Sequence, residues 1–152
     1  MYVHQWPIKN ILLIDDDEDD FFFFREAVRS INTDISVTYV SDNLADPGVL
    51  GELHPDIIFL DINMPKKNGF DYLRQIKQST YKDIPVVIYS TTGNQSFIKE
   101  AYETGAHLFF TKPFSFDTLV AALKNIISLN WNEPATITSA YFSNGRYLPF
   151  SA

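Results

Sequence analysis

Six consecutive acids, Asp15 to Asp20, follow the apolar run ILLI, and a single acid, Asp61, follows the apolar run IIFL. Each stands where a buried strand would reach the surface. If the two runs are neighbouring strands, Asp15, Asp16 and Asp61 converge. Like charges that close are costly unless a cation or a shared proton sits among them. All three offer oxygen, and no His or Cys lies nearby in the sequence. The fitting ion is therefore hard, Mg2+ first and Mn2+ next. Magnesium keeps several waters and takes phosphate oxygens as ligands, so an open acidic site of this kind suits phosphoryl chemistry. Lys112 ends a further apolar run, HLFFTK, just before Pro113. There it can pair with Asp61 and hold a phosphoryl oxygen as a point charge, and an X-Pro bond in the cis form would aim it inward. Ser90 ends the run IPVVIYS. Its hydroxyl could reach a group carried on Asp61, although serine at a strand end also serves simply as a turn former.

These residues need strands that end together. Apolar runs at 10–15, 35–40, 56–61, 84–90 and 106–112 alternate with helix-like segments. The first helix begins in the acid run, where negative charge complements the helix dipole, and continues through FREAVRSI. A short, poor helix is expected over 46–53, with Asp46 as cap, Pro47 in the first turn and two weakening glycines. Residues 69–79 place Phe70, Leu73, Ile76 and Lys77 at helical spacing. Residues 95–105 close on Gly105, a favoured C-terminal glycine. Residues 115–130 carry the stripe Phe116, Leu119, Val120, Leu123, Ile126 and Ile127 behind a Ser115 cap. Five such strand–helix pairs imply an α/β fold, a doubly wound parallel sheet with helices on both faces. Ligands of these sheets sit at the carboxyl ends of the strands, where Asp15, Asp61, Ser90 and Lys112 fall.

The 152-residue length fits one domain, here 1–130, followed by an aromatic tail at 131–152 that is too short for a second. The formal charge is −7, from 19 acids and 12 bases. Without the acid run and Asp61, twelve acids face twelve bases, so the negative charge is local to the candidate site. No basic block supports nucleic-acid binding. There is no cysteine, hence no disulfide framework or thiolate metal site. No apolar run approaches the ~20 residues of a membrane helix, and no signal-like core opens the chain. A cytoplasmic location is the expectation.

The segments ILLIDDD, IIFLDINMPKKNGFDYL, IPVVIYSTTG and GAHLFFTKPF, in that order, resemble the signature regions of response-regulator receiver domains of two-component signalling. The likeness covers roughly residues 8–129 and implies a flavodoxin-like strand order, 2-1-3-4-5. It implies Asp61 as phosphoacceptor and a Mg2+ held by Asp15, Asp16, Asp61 and the backbone carbonyl of Asn63. Asp16–Asp17 is the alternative register of the acid pair. It further implies Lys112 on the phosphoryl group, Ser90 and Phe109 as the switch pair, and Asn63 and Thr92 as positions that tune phosphoryl lifetime. The donor would be a histidine kinase or histidine phosphotransfer protein. No DNA-binding or catalytic output module follows, so output is expected through contact with a downstream protein. The chain would catalyse only its own phosphorylation and dephosphorylation. A haloacid dehalogenase-type phosphatase shares the aspartyl-phosphate chemistry but needs an Asp two residues after the nucleophile, where Asn63 stands.

Four phenylalanines follow the acids. Phe23 and Phe24, with Ala27, Val28 and Ile31, are expected on the buried stripe of the first helix, leaving Phe21 and Phe22 as an edge that contacts the kinase. The aromatic content of the tail predicts that it packs, on its own domain or against a second copy as a homodimer contact. SNGR is expected to be a turn between extended TITSAYF and YLPF. His4, His54 and His107 show no ligand spacing and read as structural or exposed.

Overall fold

The computed structural model describes residues 8–41, 48–63 and 68–151. Five strands form one parallel sheet: β1 (Asn10–Ile14), β2 (Ser36–Val40), β3 (Ile57–Leu60), β4 (Val86–Ser90) and β5 (Leu108–Thr111), in the order β2-β1-β3-β4-β5. The helices are α1 (Glu18–Ile31), α2 (Val49–Leu53), α3 (Gly69–Lys77), α4 (Gln95–Thr104) and α5 (Phe116–Ile127). The fold and its strand order are those expected.

Alternation along each strand feeds two cores. Leu12, Ile14, Ile58, Leu60, Ile88 and Phe109 face Leu50, Phe70, Leu73, Ile76, Ile98 and Ala101 of α2, α3 and α4. Leu13, Ile57, Phe59, Val87, Tyr89 and Phe110 face Phe24, Ala27, Val28, Leu119, Leu123 and Ile126 of α1 and α5. With both faces buried, the strands read as unbroken apolar runs. Side chains set the helix starts. Asp17 accepts from Asp19 N–H, Asn68 from Phe70 N–H, Asn94 from Phe97 N–H and Ser115 from Thr118 N–H. Gly105 ends α4 at φ 119°, in the left-handed region. α2 is shorter than expected, beginning at Val49, and Asp46 and Pro47 lie outside the described residues.

The phenylalanine run is corrected. Phe24 is buried and meets Phe59 and Tyr89 edge-on, with ring centroids 5.0 and 5.5 Å away. Phe23, expected in the core, is 54% exposed, and Phe22 is 53% exposed. Phe21, expected at the exposed edge, is half-buried and stacks on Tyr39 at 4.8 Å. Helix geometry explains the exchange. Phe21, three residues before Phe24, lies about 60° from it around the helix axis, whereas Phe23 lies about 100° away on the other side. Phe116 is likewise 41% exposed instead of joining the α5 stripe.

The tail folds back onto the sheet. Pro134 opens a further helix, α6 (Pro134–Ala140), in place of the expected extended TITSA; proline suits a first helical turn. The SNGR turn joins β6 (Phe142–Ser143) to β7 (Arg146–Tyr147), with Asn144 and Gly145 both at positive φ, 54° and 74°. Trp131 is buried and donates its indole N–H to Ile126 O at 2.8 Å. Tyr147 stacks on Tyr102 at 4.9 Å, and Phe150 N–H donates to Phe109 O at 2.7 Å. His107 accepts Val86 N–H on Nδ1, and burial lowers its pKa to about 4, so it is a neutral structural residue. His54 caps α2 and His4 lies outside the described residues.

Phe24→Ala is expected to cost about 3–5 kcal/mol of stability, and Phe23→Ser no more than about 0.5 kcal/mol. Urea unfolding of the two variants checks the assignment of core and surface in the run.

Candidate functional site

Register builds the site. Ile14 pairs with Leu60 across β1 and β3, so the residues that follow them, Asp15 and Asp61, emerge side by side. Asp61 N–H donates to Ile14 O at 2.9 Å, which fixes that adjacency. Ser90 pairs with Thr111, and Lys112 N–H donates to Ser90 O at 2.9 Å, bringing the lysine over the same end of the sheet. The Lys112–Pro113 bond is trans, as are all peptide bonds of the described residues, so the lysine reaches inward without a cis turn.

Asp15 and Asp61 are buried, with 0% and 4% of their surface exposed, and Asp16 is exposed. One oxygen of each of the three lies within 4.8 Å of the others. Lys112 Nζ is 2.8 Å from Asp15 Oδ2, 2.7 Å from Asp20 Oδ2 and 3.3 Å from Asp61 Oδ2. The free oxygens are held too: Asp15 Oδ1 accepts from Asp17 N–H at 3.0 Å and Asp61 Oδ1 from Asn63 N–H at 2.9 Å. Lys112 also lies 5.2 Å from the centre of the Tyr89 ring, a cation–π distance. Gly69 opens α3 against this backbone. A Cβ there would collide with Ile62 Cα, and Gly69 N–H donates to Ile62 O.

The electrostatics follow from burial. Burial pushes the Asp15 carboxyl from 3.8 up to about 7, an effect reduced by Lys112 and reinforced by Asp61. Burial alone would lower the Lys112 ammonium, but Asp15 and Asp61 outweigh it and hold the lysine above its ordinary value. The site is thus a protonated lysine among carboxylates, short of positive charge. A donor set of oxygens alone, two of the three carboxylates buried, fits a hard divalent cation.

Around this centre the remaining sequence candidates fall as follows. Ser90 is fully buried and its Oγ accepts Thr92 N–H at 3.2 Å. Thr92 Oγ1 accepts from Asn63 Nδ2 at 3.2 Å, joining two positions singled out from the sequence. Phe109 is fully buried beside Ile88 of β4. Asp17 points its carboxylate at the start of α1 and caps it, while Asp16 lies with Asp15 and Asp61 in the group of acids that could share an ion. Sequence reasoning missed the contact of Asp20 with Lys112. The acid run offered only a helix-dipole role for Asp20, since nothing in one-dimensional spacing tells which acid of the first turn faces β5.

Residues 11–124 match the response regulator receiver domain, and the chain belongs to that family. It is 32% identical over 142 residues to the response regulator Rcp1 of Synechocystis, spanning 88% of this chain and 96% of that protein. The solved Mn2+-bound form of Rcp1 superposes with a TM-score of 0.63 at 29% identity, covering 80% of this chain and 93% of Rcp1. The phosphorylated cyanobacterial phytochrome response regulator RcpA gives a TM-score of 0.65 at 31% identity, covering 78% of this chain and 91% of RcpA. The match to the transcriptional regulatory protein KdpE of Staphylococcus aureus, 34% identical over 91 residues, spans 60% of this chain and 38% of that protein. No helix of the described residues is long and apolar enough to cross a membrane.

The unfolded Asp15 carboxyl ionises near pH 4, the native one at about 7. The native state therefore favours the proton. The resulting stabilisation is complete below the unfolded value and lost as pH rises through the native one. In metal-free buffer, Asp15→Asn is expected to gain stability relative to the unaltered protein from about pH 4 to about pH 7 and then level off. Paired urea titrations across that range measure the difference.

Proposed function

We propose that this chain is a phosphoacceptor switch in which Asp61 takes a phosphoryl group from a phosphohistidine of a histidine kinase or histidine phosphotransfer protein. The observation that carries the reading is Lys112. Its ammonium is buried with Asp15 and Asp61, in a chain of the receiver family, at the strand ends where ligands of such sheets bind.

The chemistry follows from the groups present. A lone pair of the Asp61 carboxylate forms the O–P bond as the P–N bond to the donor imidazole breaks, and the imidazole leaves with the electron pair. Charge then gathers on the equatorial oxygens and must be met by fixed positive groups. Lys112, 3.3 Å from Asp61 Oδ2, is one. Asp15, Asp16, Asp61 and the Asn63 carbonyl would hold Mg2+, which supplies the remaining neutralisation when bound. The Asn63 N–H on Asp61 Oδ1 fixes the carboxylate plane, leaving Oδ2 on the lysine side. Ser90 and Phe109 act as the switch pair, and the change is a population shift between two arrangements of the α4–β5 side. Phe109 has no hydroxyl, so its movement ends in packing and not in a hydrogen bond. Output runs through protein contact in the cytoplasm, and the packed tail, which covers part of that side, belongs to the surface a target or a second copy would meet.

A donor protein must bring its phosphohistidine within bonding distance of Asp61, so it must cover the surface beside Lys112. That surface carries exposed phenylalanines. Phe22 and Phe23 on α1 face solvent, as do Phe114 and Phe116 at the start of α5. A cavity of about 110 Å³ lined by Asp20, Phe23, Lys112, Phe114 and Phe116 lies between them. Exposed phenylalanines gathered at one rim mark an interaction surface. The donor contact first assigned to Phe21 and Phe22 thus passes to Phe22 and Phe23, because Phe21 is turned onto Tyr39.

Incubation with acetyl phosphate and Mg2+ is expected to give a single phosphoryl adduct by intact mass, absent without a divalent cation and absent in Asp61→Asn. No adduct from small donors or from kinases would contradict the reading. Phe22→Ser combined with Phe23→Ser should slow transfer from the cognate protein donor by about tenfold, roughly the loss of 1.4 kcal/mol of binding, while the acetyl phosphate rate stays unchanged.

A further inference from the structure

Lys112 has three N–H donors to give, and three carboxylates take them. The shortest contact, 2.7 Å, goes to Asp20, and the longest, 3.3 Å, to Asp61. Asp20 is not one of the three acids placed to share a metal ion. It is also the least enclosed of the three partners, with 34% of its side chain exposed against 0% for Asp15 and 6% for Asp61. Its place is set by α1: the Asp17 cap fixes the first turn and Phe24, four residues on, pins the helix to the sheet. Asp20 therefore reaches Lys112 from the first turn of α1, more open to solvent than either other partner.

The consequence is a competition for one cation. An ammonium that follows a phosphoryl oxygen outward from Asp61 is held back by its contact with Asp20, the shortest of the three. We propose that Asp20 is a positioning residue that draws the Lys112 ammonium toward α1 and so slows phosphoryl entry at Asp61. The inference rests on the reading of Asp61 as the acceptor. It gives the acid run a third task, beside metal binding and helix capping, and makes the first turn of α1 a setting for the rate of the switch.

The test uses the full chain and the rate of adduct formation, followed by mass with Mg2+ at fixed concentration. Asp20→Asn is expected to accelerate the reaction several-fold, on the order of tenfold, which corresponds to a barrier lowered by about 1.4 kcal/mol. Asp20→Glu, which keeps a carboxylate on the lysine, should restore a rate close to the original. A merely damaged fold would slow the reaction and could not produce a gain. Two donors separate positioning from a general field. Acetyl phosphate and phosphoramidate differ in net charge, so removal of a repelling charge would favour the more negative acetyl phosphate. Release of Lys112 gives both the same gain. An unchanged or slower rate in Asp20→Asn, or a gain confined to acetyl phosphate, overturns the inference while leaving the acceptor reading intact. Absence of any adduct on the unaltered protein overturns both.

Discussion

One ammonium group holds the carboxyl end of this sheet together. Asp15 and Asp61 are buried within reach of each other, an arrangement that repulsion and desolvation would both oppose. Lys112 lies between them and makes it tolerable. Much of the fold serves that contact. The Ile14–Leu60 register sets the two acids side by side, and the Ser90–Thr111 register delivers the lysine. Gly69 lets α3 start against the Asp61–Ile62 backbone, where a side chain would collide. One lysine against Asp15, Asp20 and Asp61, with Asp16 beside them, still leaves the site short of positive charge. That shortage is the physical reason the site fits a divalent cation.

The same end of the sheet is tied to its far edge. β5 is the last strand, and a free edge strand exposes unpaired backbone groups. At Phe109 those groups are taken up by other parts of the chain. Its N–H donates to the Tyr102 hydroxyl, which in turn donates to Leu148 O, and its carbonyl accepts from Phe150 N–H. The tail is thus continuous with the backbone of a residue two sheet positions from Thr111 and three from Lys112. The ring contacts of Tyr147 on Tyr102 and of Phe150 on Phe110 make the cover apolar as well as hydrogen-bonded.

Most of the architecture was legible in the sequence because buried parallel strands announce themselves as apolar runs, and polar residues mark where they end. Asp15, Asp61, Ser90 and Lys112 stand at the ends of such runs, and the strand registers bring those ends to one side of the sheet. What escaped were features decided by angle and by tertiary contact. Phe21 and Phe23 exchange places because a helix turns by about 100° per residue, a distinction that a coarse apolar stripe blurs. Pro134 suits a first helical turn, a signal that the extended reading of the tail left unused. Asp20 looks like its neighbours in the run, and only the packing of α1 on the sheet and against α5 tells that it faces Lys112.

In the proposed reaction Asp61, and no other acid of the cluster, receives the phosphoryl group. Borohydride reduction of the protein after reaction with acetyl phosphate and Mg2+ would convert an acyl phosphate to the corresponding alcohol, which peptide mass spectrometry can assign to a residue. Homoserine is expected at position 61, with Asp15, Asp16 and Asp20 unaltered. Reduction at one of those three residues, or at none in protein carrying a phosphoryl adduct, would contradict it.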